Sequence, residues 1–364
     1  MTGQHFPPAV SRSRIRVLVV EDSAAARELL IHILNSDPGI QVIDAVHNGE
    51  EALKAVARHK PDLVTMDIHM PGMDGFETTR TLMETNPLPI VIVTASFDMR
   101  DLEISFQAIE AGALAVLQNP HGVGHPDYEK NARDLITKVK LMSEIKVVRR
   151  WARTAKRRPE IPHDVVPPPA AVKIVAIGAS TGGPPVIEKI LAGLPHHFPA
   201  PVLIVQHMAE GFIHGFAEWL GQTSSLPVHV AFHGTITRPG HVYIAPDGAQ
   251  MKMDAAGRIC CTRDGPENGL RPAVSYLFRS IAEAFGQSAV GVLLTGMGKD
   301  GAAELKLMKD KGAVTIAQNE ESAAVYGMPG EAVHIGAARY VLSADKIAAV
   351  LTSLVLSKTE NKSD

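Results

Sequence analysis

The sequence predicts an α/β protein built in two units, and three observations carry that expectation. The chain has 364 residues, more than a single hydrophobic core usually accommodates, so length favours two domains. Short β-branched runs alternate with amphipathic helical stretches up to about residue 140, and again from Val172 to about residue 355. That is the rhythm of parallel sheets wrapped by helices. Between the two lies "KVKLMSEIKVVRRWARTAKRRPEIPHDVVPPPA", a basic segment running into a proline tract too stiff and too poor in apolar periodicity for a core. The expected boundaries are 14–138 for the first domain, 139–171 for the linker and 172–355 for the second domain.

Within the first unit, "IRVLVV" (15–20), "DLVTMD" (62–67) and "PIVIVTA" (89–95) read as buried strands, and "SAAARELLIHIL" and "GEEALKAVARH" carry apolar residues at helical spacing. Parallel α/β sheets place ligands beyond the carboxyl ends of their strands. Those ends are acidic here: Glu21 and Asp22 after the first strand, Asp67 after the third, with Thr94 after the fourth. One such acid is an ordinary helix cap. Three converging carboxylates repel one another unless a hard cation lies among them, and an oxygen-lined pocket suits Mg²⁺. One of them is then able to attack a phosphoryl donor and become an acyl phosphate.

The second unit opens on "VAIGASTGGPPVIEKI", a strand, a glycine-rich turn and a helix. The turn fits either a phosphate cradle or an exposed nucleophile, Ser180. A dinucleotide fold would end the next strand in an acid for the ribose hydroxyls. "APVLIVQHM" ends instead in Gln206 and His207. Imidazole is a poor ribose clamp and a good base for a hydroxyl. After the apolar run "VGVLL" come a second glycine-rich turn and Asp300, an acid able to orient the histidine. All three residues follow strands, so in a parallel sheet they share one rim. The turn glycines Gly182, Gly183, Gly296 and Gly298 leave backbone N–H groups free to hold an oxyanion. Taken singly, Ser180 and Asp300 also read as helix caps and His207 as a loop histidine. His121, His125, His233 and His241 have no metal-ligand partners at useful spacing.

Composition bounds the rest. With 45% hydrophobic and 21% charged residues the chain is globular rather than disordered, and a net charge of -3 gives no general attraction for nucleic acid. The basic linker reads as solvated charge. No run reaches the length of a membrane span, and the N-terminus lacks a signal-peptide pattern, so a cytoplasmic location without membrane insertion is expected. Cys260 and Cys261 are adjacent in a strand-like stretch. Their side chains would point to opposite faces, and both are expected as buried thiols rather than a disulfide.

"VVEDS", "MDIHMPGMDG" and "PIVIVTAS", in that order, resemble two-component receiver domains over residues 14–138. The resemblance implies a flavodoxin-like (βα)5 fold with Asp67 as phospho-acceptor, Glu21, Asp22 and Asp67 around Mg²⁺, and Thr94 on the phosphoryl group. Two positions depart from it. "ALAVLQNPHG" places Asn119 where receivers usually carry a lysine, and Val116 where they usually carry an aromatic residue. A neutral amide cannot form the ion pair that reports phosphorylation, so weak signalling to the second domain is expected.

A receiver joined to "IGASTGG", "VQHM", "PGHVYIAP", "RPAVSYLFRS", "LTGMGKDGA" and "AVYGMPGEAV" resembles the chemotaxis response-regulator protein-glutamate methylesterases over nearly the whole chain. That resemblance implies a doubly wound, mainly parallel catalytic domain with Ser180 as nucleophile, His207 as base and Asp300 as orienting acid. Backbone groups around Thr181 and Met297 become the oxyanion donors, and Arg271 a cleft candidate. Gln250 stands where a histidine is common and Ser275 where an aspartate is common, which bears on substrate contacts rather than on the reaction. The implied substrates are γ-glutamyl methyl esters on methyl-accepting chemoreceptors, hydrolysed to glutamate and methanol without a catalytic cofactor; members of the family also deamidate receptor glutamines. The implied phosphoryl donor is a histidine kinase, and the unphosphorylated receiver covers the cleft. The rival readings are a receptor- or kinase-docking adaptor without turnover and a nucleotide-dependent enzyme.

Overall fold

The computed structural model describes residues 14–94, 107–109, 111–145, 147 and 170–356. Most of the linker expected at 139–171, with its basic and proline-rich stretches, lies outside them. The chain separates into two compact units.

The first unit contains the strands β1 (Ile15–Val20), β2 (Ile40–Val46), β3 (Leu63–Met66), β4 (Ile90–Thr94) and β5 (Ala115–Gln118). They form one sheet in the order β2-β1-β3-β4-β5 with parallel pairing throughout. Its helices are α1 (Ala24–Asn35), α2 (Gly49–His59), α3 (Gly75–Thr85) and α4 (Tyr128–Ser143). Each of the first three starts on a side chain that accepts an orphan N–H: Ser23 for α1, Asn48 for α2 and Asp74 for α3. β3 and β4 are buried at every position, which is why they read as continuous apolar runs. Gly75 has a steric reason to be glycine, because a Cβ there would fall 2.1 Å from the Asp67 carbonyl oxygen.

The second unit is built on a seven-stranded sheet. Its strands are β6 (Ile174–Ala179), β7 (Val202–Gln206), β8 (Val228–Val230), β9 (Val242–Ile244), β12 (Ala289–Leu293), β13 (Val314–Gln318) and β14 (Tyr340–Leu342). The order is β14-β13-β12-β6-β7-β9-β8, parallel at every pairing. The chain winds outward from β6 in one direction and then from β12 in the other, so the strand order reverses between those two, the place where such sheets bind ligands. The helices are α5 (Gly183–Gly193), α6 (Ile213–Thr223), α7 (Val274–Phe285), α8 (Ala302–Asp310), α9 (Met328–His334) and α10 (Ala344–Leu356). α5 buries Val186, Ile187, Ile190 and Leu191, each contributing about 1.5–3 kcal/mol of apolar burial. A separate antiparallel pair, β10 (Gln250–Met253) with β11 (Ile259–Thr262), holds the cysteines. Both thiols are free but half-buried rather than buried, with Cys261 packed against the edge of the core. Burial still pushes the Cys261 thiol up to about 11, so it is unreactive at neutral pH.

Candidate active site and phosphoryl pocket

Ser180 follows the last residue of β6, and His207 the last residue of β7. The pairing Ala179↔Gln206 puts the two residues at the next rung of the same ladder, and the His207 N–H donates to the Ala179 carbonyl at 3.0 Å. Gln206 ties the rung together, its amide nitrogen donating to the carbonyls of both Ser180 and His207 at 2.8 Å. On the other side the Ser180 N–H donates to Thr295 at 3.0 Å, and Gly296 comes so close that a Cβ would lie 2.7 Å from that of Ser180. The sequence singled out Gln206 only as not being an acid. Its role as a clamp depends on strand adjacency and leaves no mark on local spacing.

Asp300 is 2% exposed, and its Oδ2 lies 2.9 Å from His207 Nε2. The distance is that of a charge-assisted hydrogen bond, although the ring N–H is turned off the oxygen and makes no aligned bond. Nε2 therefore faces the acid, and Nδ1 is the remaining nitrogen. Burial works against the charged form of Asp300, yet the contacts with His207, Ser275 and the Val274 N–H hold its carboxyl below the usual carboxylate range. It is ionised at neutral pH.

The helix-cap readings do not describe these residues. The N-cap of α5 is Gly182 and that of α8 is Gly301, neither with a side-chain cap bond, while Asp300 accepts N–H groups from the start of α7 instead. The Ser180 hydroxyl, half-buried, makes no hydrogen bond among the described residues. The N–H groups of Thr181 and Met297 are likewise without a partner among them, and Met297 is 47% exposed. The glycines of the turn answer to packing. A Cβ on Gly183 would lie 2.1 Å from Gln206 Oε1, and Gly182, at φ +73°, faces Ala324.

Two departures have a different place from the one the resemblance implied. Gln250 is fully buried; its Oε1 accepts the Ala273 N–H at 2.9 Å and its amide donates to the carbonyls of Gly265 and Leu270. Ser275, 2% exposed, contacts Asp300. Gln250 supports the loop leading into α7, and Ser275 supports the acid. Arg271 is exposed in that loop.

In the first unit, Glu21, Asp22 and Asp67 each offer a carboxylate oxygen within 4.8 Å of the others, the one such group among the described residues. β1 and β3 are neighbours at the reversal of strand order, which brings these acids together across 45 positions of sequence. Burial, with the Asp67 charge beside it, pushes Glu21 up to about 7; burial raises Asp67 to about 6 despite the bond from the Ile68 N–H. Thr94 is 1% exposed and its hydroxyl has no partner among the described residues. Asn119 donates from Nδ2 to Glu21 Oε2 at 3.5 Å, and its buried Oδ1 is unpaired. Val116 is half-buried in β5, opposite Ile92 of β4. Three clustered carboxylates, with the proton affinities of Glu21 and Asp67 raised, fit a divalent hard cation.

Comparison with known proteins follows this division. The CheB methylesterase family matches residues 175–351 and the response regulator receiver domain family residues 17–124. The chain is 56% identical over 352 residues to a protein-glutamate methylesterase/protein-glutamine glutaminase of Nitrosospira multiformis, covering 96% of this chain and 99% of that one. It is also 56% identical over 344 residues to a protein of that name from Syntrophus aciditrophicus, covering 93% and 98%. The crystal structure of the Thermotoga maritima CheB methylesterase catalytic domain superposes on 51% of the chain and on all of its own, at 40% identity and a TM-score of 0.50. With both domains matched in order and the likeness running nearly end to end, the chain belongs to the protein-glutamate methylesterase/protein-glutamine glutaminase family of receiver-linked CheB methylesterases.

Proposed function

We propose that the chain hydrolyses γ-glutamyl methyl esters of chemoreceptors in the cytoplasm, using Ser180, His207 and Asp300, under a receiver phosphorylated on Asp67 by a histidine kinase. The observation that carries this reading is the His207–Asp300 contact at the rim where Gln206 holds the Ser180 and His207 backbones together. Nε2 lies against Asp300, which favours the proton on that nitrogen and leaves Nδ1 as the basic one. It takes the Ser180 proton as Oγ attacks the ester carbonyl, and the unpaired N–H groups of Thr181 and Met297 would hold the oxyanion. The C–O bond breaks as the imidazolium returns its proton to the departing methoxide. Water, deprotonated by the same nitrogen, then releases glutamate from the acyl-enzyme. The same attack on a glutamine carboxamide would release ammonia, so deamidation needs no further group. The test is methanol release from a methylated receptor fragment, which a docking adaptor would not produce and which must depend on Ser180.

Mg²⁺ held by Glu21, Asp22 and Asp67 would neutralise the receiver pocket and the incoming phosphoryl group. Without it, folded-state affinities raised to about 7 for Glu21 and about 6 for Asp67 mean that the folded receiver binds more protons than the unfolded chain. Stability is then lost as pH rises through that window. In melting scans of the metal-free chain, the receiver transition should fall between pH 5 and 8, and Mg²⁺ should raise it far more at pH 8 than at pH 5; a transition indifferent to both contradicts the metal assignment.

Asn119 also bears on the output. A neutral amide beside Glu21 cannot form the ion pair that a cation would form with a phosphoryl oxygen. Methylesterase activity of the native chain should therefore change little with beryllofluoride, and Asn119→Lys should enlarge the response. A large activation of the native chain would refute this.

A further inference from the structure

Asp300 is held by four groups, three of them from two consecutive residues. Its Oδ2 accepts the Val274 N–H at 2.6 Å and faces His207; its Oδ1 accepts the Ser275 N–H at 3.1 Å and the Ser275 hydroxyl at 2.5 Å. The two N–H donors belong to the first turn of α7 and come with almost any residue type. The hydroxyl belongs to Ser275 alone, and its orientation is decided. Because the Gly301 N–H donates to Ser275 Oγ at 3.0 Å, the single hydroxyl proton is directed at Asp300. A serine at a helix N-cap ordinarily bonds its own helix's N–H groups, and one inside a helix bonds a carbonyl of the preceding turn. This one bonds residues 25 and 26 positions away.

We propose that Ser275 is a positioning residue for the hydrolysis: its hydroxyl locks the Asp300 carboxylate against His207 and tempers its charge, setting the pH at which His207 becomes the free base. The proposal rests on the Ser180–His207–Asp300 reading above. A donor to an ionised carboxylate lowers its proton affinity and weakens its pull on the neighbouring imidazolium. Other charges are directed elsewhere. Lys299, next in sequence, is exposed. Arg279, one turn along α7, pairs with Glu267 and with Glu304 of α8. Glu210 and His214, on the segment after β7, act on Asp247 beyond β9. The titratable side chain that faces Asp300 is His207, with Nε2 at 2.9 Å from Oδ2.

The experiment is kcat/KM against pH for methanol release from a methylated receptor fragment, using the full-length native chain, Ser275→Ala and Ser180→Ala. Removing the hydroxyl makes Asp300 more basic and stabilises the imidazolium. The acid limb in Ser275→Ala is therefore expected to move to higher pH by about half a unit to one unit, with a several-fold lower plateau. If the alanine variant does not fold, Ser275→Cys, a weaker donor of similar shape, carries the same prediction with a smaller shift. An acid limb that stays in place while Ser180→Ala is inactive overturns the Ser275 proposal alone. Undiminished hydrolysis by Ser180→Ala overturns the triad reading and the Ser275 proposal with it.

Discussion

Ser180→Ala is expected to cut methanol release by about 10⁴-fold or more while leaving phosphorylation of the receiver and the melting temperature almost unchanged. The size follows from the chemistry. Without Oγ there is no acyl-enzyme, and what remains is water attack assisted by the oxyanion N–H groups and substrate binding. The stability expectation follows from the structure, since the Ser180 hydroxyl makes no hydrogen bond among the described residues while its backbone is held by Thr295, Gln206 and Gly183 whatever the side chain. Alanine removes the reacting atom and little else. A chain that loses the same activity only together with its fold would point to a structural role for the serine.

The second large effect is expected at Asp67. Asp67→Asn should reduce incorporation of acid-stable, hydroxylamine-labile phosphate from a small-molecule phosphodonor to background, with methanol release by the catalytic domain retained. The amide keeps the shape and the Ile68 N–H contact at 2.8 Å but has no nucleophilic carboxylate oxygen. It also removes one of the two raised, mutually repelling acids, since the Asp67 charge is part of what lifts Glu21. The variant should accordingly be more stable than the native chain above pH 7 in the absence of metal, checked by thermal melting. Residual labile phosphate at native levels would move the acceptor to another carboxylate.

Much of this site is legible in the sequence because a parallel sheet converts local pattern into position. Buried strands read as apolar runs, and the residue ending each run lies on the functional rim, which is how Glu21, Asp67, Thr94, Ser180 and His207 stand out from caps and loops. β2, β8, β9, β13 and β14 carry no strand assignment from the sequence alone. β2 and β8 are mostly half-exposed, so their apolar content is weaker and turn signals do not isolate them. Gln250 and Ser275 stand out in the sequence as departures, but only the fold shows which neighbours meet them: Ala273, Gly265 and Leu270 for the first, Asp300 and Gly301 for the second.

The sequence by itself determined the two α/β units and the side chains that follow their strands, because these depend on side-chain type and on periodicities within a few residues. Tertiary structure alone decided that Gln206 clamps Ser180 to His207, that Nε2 rather than Nδ1 faces Asp300, and that Ser275 completes the shell of the acid. Those contacts join residues as far apart in sequence as His207 and Asp300 across a few ångströms. Which partners fall within that reach is set by strand order and helix docking, and no local pattern encodes it.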